Sequence, residues 1–219
     1  MKPEPEHSTK FGGAESPLSH SPQPCPLGPE DRRTLLEIAR QTLQCVTRDL
    51  ELPTVDPSLQ RLLDLSPVLC EVRGCFVTLR EHQGDLRGCI GQVRARYPLF
   101  QGVRENTRSA ALHDTRFEPV HAGEAAGLNI EISVLSNLER LIHASAADLL
   151  ARLRPGVDGV FLTVGNRSAT FLPQVWDHYP RHEDFLGALC QKAGMPRNAW
   201  RNPDTLVHTY QAEHFSENP

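Results

Sequence analysis

The chain has 219 residues, with 23 basic and 27 acidic side chains and a formal net charge of −4. This length suits one compact domain with its own hydrophobic core. Because the charges nearly balance, nothing draws the chain to phosphate backbones or anionic lipid, and we expect neither nucleic acid nor a membrane as partner. No apolar stretch approaches the roughly 20 residues that a membrane-spanning helix needs.

The six cysteines are spread along the chain without a Cys-x-x-Cys pair. The N-terminal segment has no basic stretch followed by an apolar one, which a secretory signal would show. Disulfide frameworks belong to oxidising compartments. We therefore expect reduced thiols and a cytoplasmic protein.

The first half of the chain predicts a tail, a helix and a hairpin. Residues 1–28 are rich in proline and polar side chains, which predicts a disordered tail before a domain at 29–219. Apolar residues at spacings of three and four then predict a helix over 30–49, followed by a proline-broken connector with one turn at 59–63. Alternation from Gly74 to Arg80 predicts a strand, which a turn at 83–85 joins to a returning strand.

The second half continues with helices and strands. Pro98 opens a predicted helix that ends near residues 113–114. A strand over 128–134 places Glu131 on its polar face, and a hairpin joins strands at 160–164 and 169–173. A short helix ending at Gly194 and a closing strand over 206–215 complete the chain. Hairpins without a regular βαβ repeat favour an α+β fold with a mainly antiparallel sheet.

The segment Leu86-Arg87-Gly88-Cys89-Ile90-Gly91 is the most informative one for function. Glycines allow close approach of another molecule to the backbone, and in a strand they indicate a bulge or a close backbone contact. A nucleophilic cysteine needs positive charge and a base nearby, for which Arg87 and the histidines 82 and 113 are the nearest candidates along the chain. A structural bend with an ordinary buried cysteine is the alternative.

Other polar residues also allow two interpretations. Asp114 and Arg116 predict an ion pair that anchors a loop, or else Arg116 binds an anionic substrate or a carboxylate of a partner. Glu131 is solvated, or it approaches Cys89 if their strands are neighbours. His178 and His182 have the spacing of helical metal ligands, but Pro180 lies between them, so we predict no metal site.

No dinucleotide, nucleotide or serine-hydrolase motif is present, and we expect no cofactor.

Several segments together resemble the AMMECR-type domain family, whose hallmark is the Arg-Gly-Cys-Ile-Gly sequence at 87–91. The resemblance continues, in the family's order, through the segments 114–119, 132–139, 156–160, 169–177 and 192–194. It implies an α+β fold with a larger lobe, built on an antiparallel sheet flanked by helices, and a smaller lobe beside it. The segment 87–91 is then expected near the cleft between the lobes.

The resemblance also implies partners. Prokaryotic members belong to the AmmeMemoRadiSam system, together with a Memo-like protein related to extradiol dioxygenases and a radical-SAM protein. The resemblance implies no agreed reaction.

Two functions therefore stay open. The chain is an enzyme or enzyme subunit that acts with these partners through an exposed thiol, or it is a non-catalytic module that docks them through residues 87–91. In the first case Cys89 and Glu131 are the candidate catalytic groups. The candidate residues for binding substrate or partner are Arg87, Gly88, Gly91, Asp114 and Arg116.

Overall fold

The computed structural model describes residues 26–50, 60–61, 63–64 and 66–217. Most of the predicted tail lies outside these residues, but Leu27 is buried in the core and the Gly28 N–H donates to Asp31 at 2.7 Å. The folded part therefore includes the end of the segment that we predicted to be the tail. The predicted turn at 59–63 is described only in part, and its described residues 60–61 and 63 are helical.

Five α-helices have both ends within the described residues. They are α1 (Pro29–Val46), α2 (Leu99–Leu112), α3 (Ala122–Ala125), α4 (Ala146–Arg152) and α5 (His182–Lys192). Short 3₁₀ helices span Pro67–Cys70, Pro173–Asp177 and Ala199–Arg201.

In the described part of the chain, eight strands form two four-stranded antiparallel sheets. The strands are β1 (Cys75–Arg80), β2 (Leu86–Gln92), β3 (Asn129–Leu135), β4 (Glu139–Arg140), β5 (Gly159–Val164), β6 (Arg167–Phe171), β7 (Leu206–Tyr210) and β8 (Ala212–Ser216). Sheet 1 has the order β2-β1-β3-β8, and sheet 2 has the order β4-β7-β5-β6. The predicted α+β class is confirmed.

Each sheet has its own core, and the two define two lobes. In the first lobe, alternate residues of β1 such as Val77 and Leu79 are buried together with residues of α1 and α2. In the second lobe, Val160 and Leu162 pack with α5, and the rings of Trp176 and Phe185 stack with centroids 3.7 Å apart. Alternation along the strands leaves the other face of each sheet free for polar side chains.

The two sheets are joined by two chain crossings. The chain passes from β3 in sheet 1 to β4 in sheet 2, and it returns from β7 in sheet 2 to β8 in sheet 1. At the crossing the Ser136 N–H donates to the Gln211 carbonyl at 2.9 Å, and the Gln211 N–H donates to Ser136 Oγ at 2.9 Å. The prediction of a single closing strand over 206–215 was therefore wrong, because the chain changes sheets at Gln211.

Smaller differences have local causes. Helix α1 ends at Val46 rather than at 49, where Asp49 takes a positive φ of 53°. Strand β6 ends at Phe171 rather than at 173, because Pro173 begins a 3₁₀ helix. Sequence analysis did not predict α3, α4 or β4, each of which is short. No helix in the described part of the chain combines the length and apolar character needed to cross a membrane.

Candidate functional site

Cys89 lies in the middle of β2, an edge strand of sheet 1. It pairs with Thr78 of β1, whose hydroxyl donates to Cys89 Sγ at 3.2 Å. Both residues lie on the sheet face opposite the buried Val77 and Leu79, and Cys89 is partly exposed. The thiol is therefore held at the surface of the sheet rather than within the core.

Asp114 and Arg116 bind the outward backbone groups of Cys89. The Cys89 N–H donates to Asp114 Oδ2 at 2.9 Å, and Arg116 Nη2 donates to the Cys89 carbonyl at 3.1 Å. Arg116 also donates to both Asp114 oxygens, at 2.9 and 2.6 Å, so the predicted ion pair is present. Sequence analysis did not predict that this pair holds the cysteine itself.

The two partners of this ion pair differ in exposure. The Asp114 side chain is only 4% exposed, whereas that of Arg116 is 54% exposed. The hydrogen bond from Arg116 holds the pKa of Asp114 well below its usual range, so the carboxylate stays ionised. The hydrogen bond to Asp114 raises the pKa of Arg116, and the Cys89 side chain raises it further. A buried anion thus fixes an exposed cation beside the thiol.

Lys192 is the contribution of the second lobe to this site. It ends α5, and its ammonium donates to the Thr170 carbonyl at 3.0 Å and lies 5.1 Å from the ring centre of Phe171. Burial lowers the pKa of Lys192, the charge of Cys89 raises it, and the charge of Arg116 lowers it. Lys192 is therefore an electrostatic neighbour of both residues of the first lobe.

Glu131 lies in the same row of side chains as Cys89, but not next to it. Thr78 pairs with Cys89 on one side and with Glu131 on the other. Because strands in a sheet lie about 4.8 Å apart, Cys89 and Glu131 are about 10 Å apart. The Glu131 carboxylate instead binds Arg80 Nε at 2.9 Å. Strands β2 and β3 are separated by β1. The condition under which we expected Glu131 to approach Cys89, that their strands are neighbours, is therefore not met.

Arg87 and the two glycines contact the chain's own residues. A Cβ atom on Gly88 would lie 2.3 Å from the Ala110 carbonyl oxygen, and one on Gly91 would lie 2.2 Å from the Phe76 ring. The ladder between β1 and β2 shifts register next to Arg87, whose guanidinium binds both oxygens of Glu124 at 2.8 and 3.1 Å. The predicted bulge and close backbone contact are confirmed. That these residues bind a ligand or partner stays a prediction.

Cys75 shows how a structural thiol differs from the thiol of Cys89. Its side chain is buried in the first core, and Asn106 Nδ2 lies 3.2 Å from Sγ. Burial raises the pKa of the Cys75 thiol to about 12. A thiol of this kind is inert, whereas reactive cysteines lie in partly exposed, electropositive surroundings. Of the two thiols, only Cys89 has such surroundings.

Histidines contribute little to the site. His214 was not predicted, and its Nδ1 lies 3.3 Å from Ser133 Oγ on the face that carries Glu131. His182 begins α5, and its Nε2 lies 3.1 Å from the Leu153 carbonyl, whereas His178 lies in the turn before the helix. The pair therefore does not share a helix. Within the described ranges no three His, Cys, Asp or Glu side chains form a group that could hold a metal ion.

Sequence analysis missed Thr78, Arg80, His214 and Lys192. Thr78 and Arg80 alternate with buried residues in β1, which is the signal that places them on the polar face. Lys192 had only one signal, its position in the Lys192-Ala193-Gly194 segment of the family resemblance.

Comparisons with known proteins define the family. Residues 36–215 match the family model described as AMMECR1. A protein of Methanothermobacter thermautotrophicus is 38% identical over 200 residues, which cover 88% of this chain and 97% of the relative. Protein PF1979 of Pyrococcus furiosus is 37% identical over 163 residues, which cover 70% of this chain and 75% of the relative.

A solved structure agrees with this. The crystal structure of the uncharacterized protein PH0010 from Pyrococcus horikoshii matches with a TM-score of 0.75 and 32% sequence identity, covering 84% of this chain and 90% of that one. The chain belongs to the AMMECR1 family.

Proposed function

We propose that the protein is an enzyme, or a subunit of one, that acts on a small anionic substrate through the thiol of Cys89. One observation carries the proposal: the thiol of Cys89 is partly exposed, Arg116 donates to the Cys89 carbonyl, and Lys192 of the other lobe interacts electrostatically with Cys89. Catalytic cysteines need electropositive surroundings of this kind.

Each residue has a role that follows from its contacts. Arg116 is oriented by Asp114 and exposes its guanidinium, so it can bind a carboxylate or phosphate of the substrate. Lys192 adds a second positive charge from the other lobe. Glu131 lies too far from the thiol to act as its base. It serves as acid or base on the far end of a substrate that extends along the row past Thr78.

The proposed partners are a Memo-like protein and a radical-SAM protein. This part of the proposal rests on membership of the AMMECR1 family. It means that the thiol chemistry of this chain is one step of a reaction to which the other two proteins contribute.

Docking of these partners through residues 87–91 is the alternative function. Edge strands commonly bind partners by adding a strand, which requires free outward N–H and C=O groups. At Cys89 both outward groups are already bound, by Asp114 and Arg116. This argues against docking by strand addition at the centre of β2 and favours catalysis.

Metabolite profiling tests the proposal. Cells that lack the protein should accumulate an anionic compound, and the wild-type gene should remove it. Cys89→Ser, which preserves the shape of the side chain, should fail to remove the compound while still co-purifying with the Memo-like protein. Cys70→Ser, at an exposed cysteine of the same lobe, is the matched control and should behave as wild type. Removal of the compound by Cys89→Ser would contradict the proposal.

A further inference from the structure

A second row of side chains crosses sheet 2. Arg140 of β4 pairs with His208 of β7, and His208 pairs with Phe161 of β5. Paired residues of an antiparallel ladder point to the same face. This face is the one opposite the buried Val160 and Leu162, which contact α5.

A residue of the first lobe reaches the same row. The guanidinium of Arg94, which follows β2, lies 5.3 Å from the ring centre of Phe161. The rings of Phe161 and His208 meet edge to face at 6.4 Å. The aromatic ring therefore holds Arg94 beside the histidine.

This face carries the two arginines Arg94 and Arg140. In the part of the chain that the structure describes, neither Arg94 nor Arg140 forms a salt bridge. Glu139 precedes Arg140 and so points to the opposite face, and its charge acts on Arg154. Burial lowers the pKa of His208, and the charges of Arg94 and Arg140 lower it further. Both effects favour the neutral imidazole at pH 7.

Two further polar atoms, from His208 and Thr163, belong to this face. His208 Nδ1 and Thr163 Oγ1 are buried, and within the described residues neither has a hydrogen-bond partner. Thr163 is two residues from Phe161 in β5, so both side chains lie on one face. A buried polar atom without a partner costs about 1–3 kcal/mol, which a bound polar ligand recovers.

We propose that this face of sheet 2 is a second binding site, which takes a small anion with a carboxylate or phosphate group. Arg94 and Arg140 neutralise its charge. His208 Nδ1 and Thr163 Oγ1, which side chains cover in the unliganded protein, donate hydrogen bonds to its oxygens once that cover moves aside. The site uses none of the residues around Cys89, so it stands independently of the function proposed there.

The test follows the ring signals of His208 by NMR in the full chain, at fixed pH and with ionic strength held constant by chloride. The His208→Gln variant assigns the signals. Inorganic phosphate and acetate are the two probes, and a saturable shift with either one supports the site. A response to phosphate alone identifies phosphate ligands, and a response to acetate alone identifies carboxylates.

Variants separate this site from general charge effects. The Arg94→Gln/Arg140→Gln double variant should bind the effective probe at least tenfold more weakly. The Arg48→Gln/Arg108→Gln double variant loses the same net charge at exposed positions of the first lobe and should bind as wild type. The proposal is overturned if neither probe gives a saturable shift, or if the first double variant binds as well as the second.

Discussion

At the scale of single residues, the environment of Cys89 is built by Asp114. This carboxylate accepts the Cys89 N–H and three hydrogen bonds from Arg116, while its own side chain is almost fully buried. A buried carboxylate satisfied in this way both stabilises the fold and sets the position of the cation beside the thiol.

The first prediction concerns Asp114→Asn. The amide keeps the shape but loses the charge that binds Arg116, so we expect a loss of about 2–3 kcal/mol in the free energy of unfolding. Urea denaturation of both proteins at pH 7 measures it. An unchanged midpoint would contradict the role assigned to this carboxylate.

The second prediction concerns how the difference in the free energy of unfolding between wild type and Asp114→Asn depends on pH. The folded-state pKa of Asp114 lies below its unfolded value, so its contribution is complete above the unfolded pKa of about 4 and is lost as the pH falls below it. The stability gap between wild type and Asp114→Asn should therefore be constant from pH 7 to 5 and should narrow below about pH 4. A gap that stays constant down to pH 3 would show that charge is not its source.

Sequence analysis could find this ion pair but not the complete site. Asp114 and Arg116 are two positions apart, so their contact follows from local geometry. Lys192 belongs to the other lobe and interacts with Cys89 electrostatically, and no spacing along the chain reports that interaction.

At the scale of elements, β2 lies unusually close to α2. Gly88 has no Cβ atom, and the Ala110 carbonyl occupies the space where one would be. Because the contact is with a backbone atom of a helix, it cannot be relieved by rotation of a side chain.

The third prediction is that Gly88→Ala destabilises the protein by about 3 kcal/mol, near the upper end of overpacking costs. Thermal unfolding measures it. The control is Gly123→Ala in α3, where a Cβ atom meets nothing within 4 Å. That variant should be neutral or slightly more stable, since alanine favours helix. Equal effects of the two variants would contradict the close-packing explanation.

Elements with strong periodicity could be predicted, and elements defined by long-range pairing could not. The alternation in β3 identified its buried face correctly, including Ile130 and Ile132. The alternation between Leu206 and Phe215 continues across Gln211, so the sequence contains no sign that the chain there leaves one sheet and enters the other.

At the scale of the whole molecule, the two cores are separate. The chain passes between their sheets twice, from β3 to β4 and from β7 to β8. Substitutions in one core should therefore act mainly on their own lobe, because stability is not uniform when few contacts connect cooperative units. Both lobes nevertheless supply residues to the Cys89 site, so their relative position matters for function.

The fourth prediction compares Leu162→Ala in the second core with Leu79→Ala in the first. Each deletes a fully buried side chain and should cost about 3 kcal/mol. Native-state hydrogen exchange should show faster exchange in β5 and β7 for Leu162→Ala, and in β1 and β3 for Leu79→Ala. A uniform increase in both variants would show that the lobes unfold as one unit.

The central claim is that two cations make Cys89 a site for anions, and alkylation tests it most directly. Iodoacetate is anionic and iodoacetamide is neutral, so the ratio of their labelling rates, followed for each cysteine by mass spectrometry, reports the local charge. We expect a ratio several-fold higher at Cys89 than at the exposed Cys70, and a return to the Cys70 value in the Arg116→Gln/Lys192→Gln variant. Equal ratios at the two cysteines of the wild-type protein, or a Cys89 that neither reagent labels, would contradict the claim.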